Sequence, residues 1–536
     1  MPRPLTARFA RPEVVFGVLA ALLLALAFGT RLGGEFVWDD VYYVRDNAAL
    51  HGPLRPMFTQ AMWGTAAPTP AQFYRPLPMV SLWLQVRLTG LSLPAFRVGN
   101  LLLHAGCGAL LMAWLRKQGV SPWIAAATSL AFLVHPSATE CVMWVMGRHD
   151  LLATLLSLAA LLLWPANDHP RRLGRAVAAS LCGGLAFLSK ESFVIVPVLL
   201  ALAQIHAQWR PGARRFDRAQ LLLGLPVVAV AAVFAVRAAA GVSTSSAAVA
   251  ASAPALASTY ATIVAHYTRQ LASWSNGPTA ESWSVLGAAG AAATLLVLLL
   301  ALLALGLAAR RGSRAAAGAF FGVSMFGVVL APLVLALPYT GMFGNRYAYL
   351  PLVAMFVVIG HSMQWLAAHL EKAARRLVPV VGGALAVAIA LSAVSTAAEV
   401  ALWRDAVTLF GADVNRSPRD AKALYHYAVA IGREVGCATA ASLYQRAVEA
   451  DPTYLRAWHN LAGCLVNQHR YEAAIVAGER ALELSGGASR DEYNLGVALL
   501  GDGRRAEGIA HLERSVALEP RFAPARASLA SALASP

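Results

Sequence analysis

Apolar runs of membrane-spanning length recur along the first 397 residues, and nothing else in the sequence constrains the fold as strongly. They fall near 13–29, 95–115, 121–136, 149–165, 173–189, 192–209, 219–237, 284–309, 316–337, 347–369 and 377–397. A bilayer core about 30 Å thick is crossed by roughly 20 apolar residues in a helix. Eleven such runs predict an all-α, polytopic membrane domain over residues 1–397. Composition agrees, with 58% hydrophobic and 13% charged residues, against about 25% charged in soluble domains. The first run, Val14 to Phe28, follows Arg3, Arg8 and Arg11 as in a signal peptide. Gly29-Thr30-Arg31 is a poor cleavage site, so an uncleaved first span is expected.

The distribution of charge says more than its total of +16. Residues 1–397 hold 29 Lys/Arg and 12 Asp/Glu, whereas residues 398–536 hold 15 and 16. Basic charge lying between apolar spans is a topology signal rather than a polyanion-binding face, which argues against a nucleic-acid partner. With a cytoplasmic N-terminus, the inner loops carry Arg116/Lys117, Arg171/Arg172/Arg175, Arg210/Arg214/Arg215/Arg218, Arg310/Arg311/Arg314 and Lys372/Arg375/Arg376. Every inner loop is then basic, and an odd span count puts the tail on the outer face. The expected setting is a cell inner membrane with a periplasmic tail. Five cysteines (Cys107, Cys141, Cys182, Cys437 and Cys464) show no CxxC or metal-ligand spacing.

The tail repeats every 34 residues, the tetratricopeptide length. Pro452 and Pro520 lie two periods apart, with Gly486 between them. Tyr427-Ala428, Leu461-Ala462 and Leu495-Gly496 share one register. Ala440, Ala474 and Gly508 share another, where two helices must cross closely, and Ala447, Ala481 and Ser515 lie seven residues further on. The expected units are 421–454, 455–488 and 489–522 with a capping helix 523–534, after a linker 398–420. Stacking of such units forms a solenoid with a shared core, and such arrays generally engage peptides or proteins.

Polar motifs recur at the outer ends of the spans. The outer loop 30–94 opens with Glu35-Phe36-Val37-Trp38-Asp39-Asp40 and further along holds Tyr74-Arg75-Pro76-Leu77. Then come His135-Pro136-Ser137-Ala138-Thr139-Glu140, Gly147-Arg148-His149-Asp150, Ser189-Lys190-Glu191 and Asn345-Arg346-Tyr347. Adjacent carboxylates at a bilayer surface repel one another unless a general base or a metal site uses them. Arg148, Lys190, Arg237, Arg269 and Arg346 lie at outer boundaries, against the orientation rule. They are either snorkelling anchors or a cavity for an anionic head group. His104, inside a span, reads as a helix–helix hydrogen bond.

The ordered set of blocks resembles the transmembrane-and-tetratricopeptide-repeat family of protein O-mannosyltransferases, within the C-type glycosyltransferase superfamily. The match runs from Phe36-Val37-Trp38-Asp39-Asp40 through Tyr74-Arg75, His135-Pro136, Gly147-Arg148 and Lys190-Glu191. It continues through Trp403-Arg404-Asp405, Asn415, Pro418 and Tyr425 into the repeats. The resemblance implies inverting transfer of a mannose-like sugar from a polyprenyl-phosphate carrier to a Ser/Thr hydroxyl of a protein at the outer face. On that reading Asp40 takes the hydroxyl proton, and Asp39 orients the acceptor or holds a divalent metal ion. Arg148, Lys190 and Arg346 bind the donor phosphate, with Glu140, Asp150, Tyr74 and Arg75 in supporting or acceptor-positioning roles. The partners implied are the lipid-linked sugar, membrane lipid, and a protein acceptor engaged by the repeats. Two other readings stay open: transfer to an envelope lipid or glycan, and a non-catalytic scaffold.

Overall fold

The computed structural model describes residues 12–59, 73–165, 172–209, 222–239, 252–274, 277, 279, 281–282, 284–335, 342–373 and 375–534. Apart from two two-residue strands, Glu281–Ser282 and Met342–Phe343, its regular elements are helical. The chain divides into two units, one of residues 1–277 and 284–405, the other of residues 278–283 and 406–536.

In the first unit a helix overlaps each of the eleven apolar runs expected from the sequence. Among the described residues seven helices are long and apolar enough to cross a membrane: Leu93–Lys117, Val145–Leu163, Glu191–Gln208, Ala288–Arg310, Arg314–Leu335, Asn345–Leu370 and Val378–Leu402. Pro12–Phe28, Pro122–Leu133 and Gly224–Ala238 are shorter apolar helices. The local signals are ordinary ones. Leu93–Lys117 starts at Ser92, whose hydroxyl accepts the Ala95 N–H, has Pro94 in its first turn and ends on Arg116 and Lys117. A capping acceptor, a proline that needs no donor and terminal cations each complement a helix end.

Burial separates protein-facing from lipid-facing helices. Helix Arg148–Leu163 buries most of its residues, whereas Ala288–Arg310 buries only Ala291 and Ala309. Leu296, Val297, Leu300 and Leu303 on that helix are exposed, which suits hydrocarbon rather than water as the surrounding solvent. His104 joins three helices, with Nδ1 2.6 Å from the Tyr349 hydroxyl and Nε2 3.0 Å from the Leu133 carbonyl. The expected helix–helix role of His104 is the observed one. The region 240–283, expected to carry interfacial helices, includes the helix Ala253–Ala272; residues 240–251 lie outside the described residues.

The second unit is a stack of helix pairs: Ala421–Glu434 with Cys437–Ala450, Leu455–Asn467 with Tyr471–Ser485, and Ser489–Gly501 with Arg505–Leu518, followed by Ala523–Ala534. The small residues read as crossing points are buried: Ala440, Ala447 and Ala474 are fully or almost fully enclosed in one core with Leu424, Leu461 and Leu495. Asp420 starts the first helix by accepting the N–H groups of Lys422 and Ala423 at 2.9 Å. Residues 398–420, expected as a linker, instead hold the end of Val378–Leu402 and the helix Ala406–Arg416. A disulfide joins Cys437 to Cys464 across successive repeats. No sequence pattern in the five scattered cysteines had indicated this pairing.

Candidate functional site

The loop after the first helix is held in place by Arg97. Its guanidinium donates to the carbonyls of Gly33 (2.7 Å), Leu32 (3.2 Å), Met143 (3.0 Å) and Trp403 (2.7 Å). The same loop bends at Trp38, whose φ of 55° is left-handed, a costly conformation for a bulky side chain. The bend stacks Trp38 on Trp144, with ring centroids 5.4 Å apart.

Immediately beyond, Asp40 is fully buried. Its two carboxylate oxygens accept the backbone N–H groups of Val145 and Met146, each at 3.0 Å. These donors sit in the short turn Val145–Gly147 that precedes helix Arg148–Leu163. Gly147 lets the turn close: a side chain there would run into the backbone of Cys141. Burial pushes the Asp40 carboxyl from 3.8 up to about 7, against the pull of the two N–H donors and of Arg97, while neighbouring Asp39 pushes the same way as burial. Asp39 itself is only partly buried.

Each cation expected at the donor phosphate is buried with protein partners. Arg148 donates to the Asn100 side-chain oxygen (2.9 Å) and the Phe96 carbonyl (3.0 Å). Lys190 is 2.5 Å from Asp150 Oδ1 and lies over the Tyr347 ring. Arg346 donates to Glu140 Oε1 at 2.9 Å and lies against the rings of Trp38, Trp144 and Tyr347. Glu140 is fully buried, its other oxygen lacks a hydrogen-bond partner, and burial raises its carboxyl despite Arg346. Thus Trp38, Glu140, Asp150, Lys190, Arg346 and Tyr347 form one contiguous cluster. His149 lies within electrostatic reach of Arg75, Arg148, Lys190 and Arg346.

Arg75 forms a second group with Glu191, its Nε 2.8 Å from Oε2. Arg237 approaches the other carboxylate oxygen at 3.8 Å. Tyr74 is buried, donates to the Phe58 carbonyl at 2.8 Å and lies within electrostatic reach of Arg237. Arg269 is part of helix Ala253–Ala272 and enters neither group through a described ion pair. Sequence reasoning singled out the carboxylates, the boundary cations and the block Asn100–His104, but missed Arg97 and the roles of Asn100 and Tyr347. Arg97 and Asn100 stand in the first two turns of a spanning helix, where a charge in lipid was itself a usable signal. Among the described residues no group of three or more His, Cys, Asp or Glu side chains could hold a metal ion, so no step is assigned to one.

Residues 443–476 match the tetratricopeptide-repeat family. The chain is 39% identical to human protein O-mannosyl-transferase TMTC1 over 153 residues, which are 27% of this chain and 17% of that one. The similarity is to protein O-mannosyl-transferases. A Caenorhabditis elegans protein O-mannosyl-transferase, F38B6.6, is 35% identical over 25% of this chain and 21% of its own length. Drosophila melanogaster protein O-mannosyl-transferase Tmtc2 is 30% identical over 32% of this chain and 20% of its own. The chain thus spans about a fifth of the length of the curated relatives it matches. These matches bear out the family resemblance drawn from the ordered motifs.

Proposed function

We propose that this membrane protein is an inverting glycosyltransferase that moves a mannose-like sugar from a polyprenyl-phosphate carrier to a Ser or Thr hydroxyl of a protein. The observation that carries the reading is the Asp39-Asp40 pair, set directly beside a buried nest of cations in a chain similar to protein O-mannosyl-transferases.

We divide the labour within the pair by exposure. Asp40 commits both oxygens to Val145 and Met146 at zero exposure, so an incoming hydroxyl does not reach it. Asp39, the partly exposed neighbour, is the better proton acceptor. The role first expected of Asp40 therefore passes to Asp39. As the acceptor oxygen bonds to the anomeric carbon, its proton goes to Asp39. The carbon–oxygen bond to phosphate breaks, and its electron pair stays on the phosphate. Cations near that oxygen stabilise the charge as it develops.

The site faces outward if the basic loops are cytoplasmic. The Cys437–Cys464 disulfide supports the same orientation for the repeats, because disulfides persist in oxidising compartments. A periplasmic repeat array would then share a compartment with the protein acceptors. The test is sugar transfer from a mannosyl polyprenyl phosphate to a Ser/Thr peptide by purified protein. Asp39→Asn should lower turnover by about 10²–10⁴, the usual cost of losing a general base, while keeping donor binding. Full activity in this variant would sink the assignment.

A further inference from the structure

We infer that Arg237 and Arg75 form the phosphate subsite for a lipid-linked donor, with Glu191 as the carboxylate that the phosphate displaces; this rests on the transferase reading above. The cations first expected there are already engaged. Arg148 is bound by Asn100 and Phe96, Lys190 by Asp150, and Arg346 by Glu140. Lys190 with Asp150 and Arg346 with Glu140 are one-to-one ion pairs. The Arg75–Glu191–Arg237 group differs from those two pairs, since two guanidinium groups face a single carboxylate.

The unevenness shows in the hydrogen bonds. Arg75 places Nε and a terminal nitrogen 2.8 Å from the same oxygen of Glu191. Arg237 comes no nearer than 3.8 Å to the other oxygen. Arg237 is 7% exposed, and its Nε lacks a hydrogen-bond partner, as does Glu191 Oε1. A buried guanidinium without a full complement of acceptors is costly at a membrane boundary. A phosphate supplies several acceptor oxygens and the missing negative charge, and it matches the arginine fork. With Glu191 displaced, the two guanidinium groups present two positive charges to the single charge of a sugar–phosphate diester. When the sugar leaves, the product monoester gains a second charge beside the same two cations.

The setting favours a phosphate on a lipid over a free one. Arg237 ends the helix Gly224–Ala239, whose Val227, Val228, Phe234 and Val236 are exposed apolar side chains. A polyprenyl chain lying along that helix would bring its phosphate to Arg237 from within the bilayer.

The test is binding of a polyprenyl monophosphate to the full-length protein in detergent, with polyprenol and inorganic phosphate as separate arms. Arg237→Gln and Arg75→Gln should each weaken monophosphate binding about tenfold or more, equivalent to about 1.4 kcal/mol, and leave polyprenol binding unchanged. Glu191→Gln, which removes the competing carboxylate, should tighten it. That opposite sign separates a phosphate subsite from a merely structural ion pair, which would lose binding in all three variants. Wild-type binding in both arginine variants, while the parent still prefers monophosphate to polyprenol, overturns the subsite and leaves the transferase reading standing. Equal affinity for inorganic phosphate overturns the lipid assignment. A parent that binds monophosphate and polyprenol alike overturns both.

Discussion

Asp40 bears a carboxyl group whose charged form the fold tolerates poorly. Its carboxyl, raised from 3.8 to about 7 by burial, keeps a proton that the unfolded chain has already released between those values. The native state therefore binds more protons in that window, and stability from this group falls as pH rises from about 4 through about 7. Thermal unfolding of purified protein across pH 4 to 8 should show this decline, and Asp40→Asn should flatten it. An unchanged pH profile in the variant would show that Asp40 does not titrate there. Trp38 is a second strained residue, held left-handed by its stack on Trp144 and by the Arg346 guanidinium 4.9 Å above its ring. The adjacent acidic pair was legible in the sequence because two carboxylates beside a span demand an explanation. Which of the two is sealed was not legible, because that depends on a turn 105 residues further on.

Among elements, the turn Val145–Gly147 matters beyond its length, since it supplies both donors to Asp40 and launches the helix that carries Arg148 and Asp150. A Cβ on residue 147 would overlap the Cys141 backbone, which has no flexible side chain to yield. Gly147→Ala should therefore cost about 1–3 kcal/mol, as overpacking does, and impair transfer. A melting temperature and activity equal to wild type would remove the turn from the argument. Helices were the most legible part of the fold, since long apolar runs admit little else in lipid. Their pairings were not, because side-chain partners such as Lys190 with Asp150 are 40 residues apart and no local pattern encodes them. The repeat register was legible through its small residues, whereas the Cys437–Cys464 bond depends on how two repeats stack. Expressed from Ala406, the repeat unit should melt cooperatively, and Cys464→Ser should lower its stability by about 2–4 kcal/mol. A fragment indifferent to the substitution would show that stacking alone holds those repeats.

At the scale of the whole molecule, charge is segregated: the membrane domain is strongly basic and the tail nearly neutral. On the orientation this implies, a reporter that works only outside the cytoplasm should be active when fused after residue 536, and a cytoplasm-only reporter silent. The reverse pattern would place the carboxylates on the wrong face for the proposed donor. The helix Ala288–Arg310, buried only at Ala291 and Ala309, has a consequence of another kind. Its 23 residues make a rod longer than the ~30 Å hydrocarbon layer. It packs along one side against Arg314–Leu330 and Ala253–Ala272 and meets lipid along the rest. Acyl-chain length thereby becomes a mechanical variable for this protein: thin bilayers would tip that rod further over, and reconstitution in lipids of graded chain length would read the tilt.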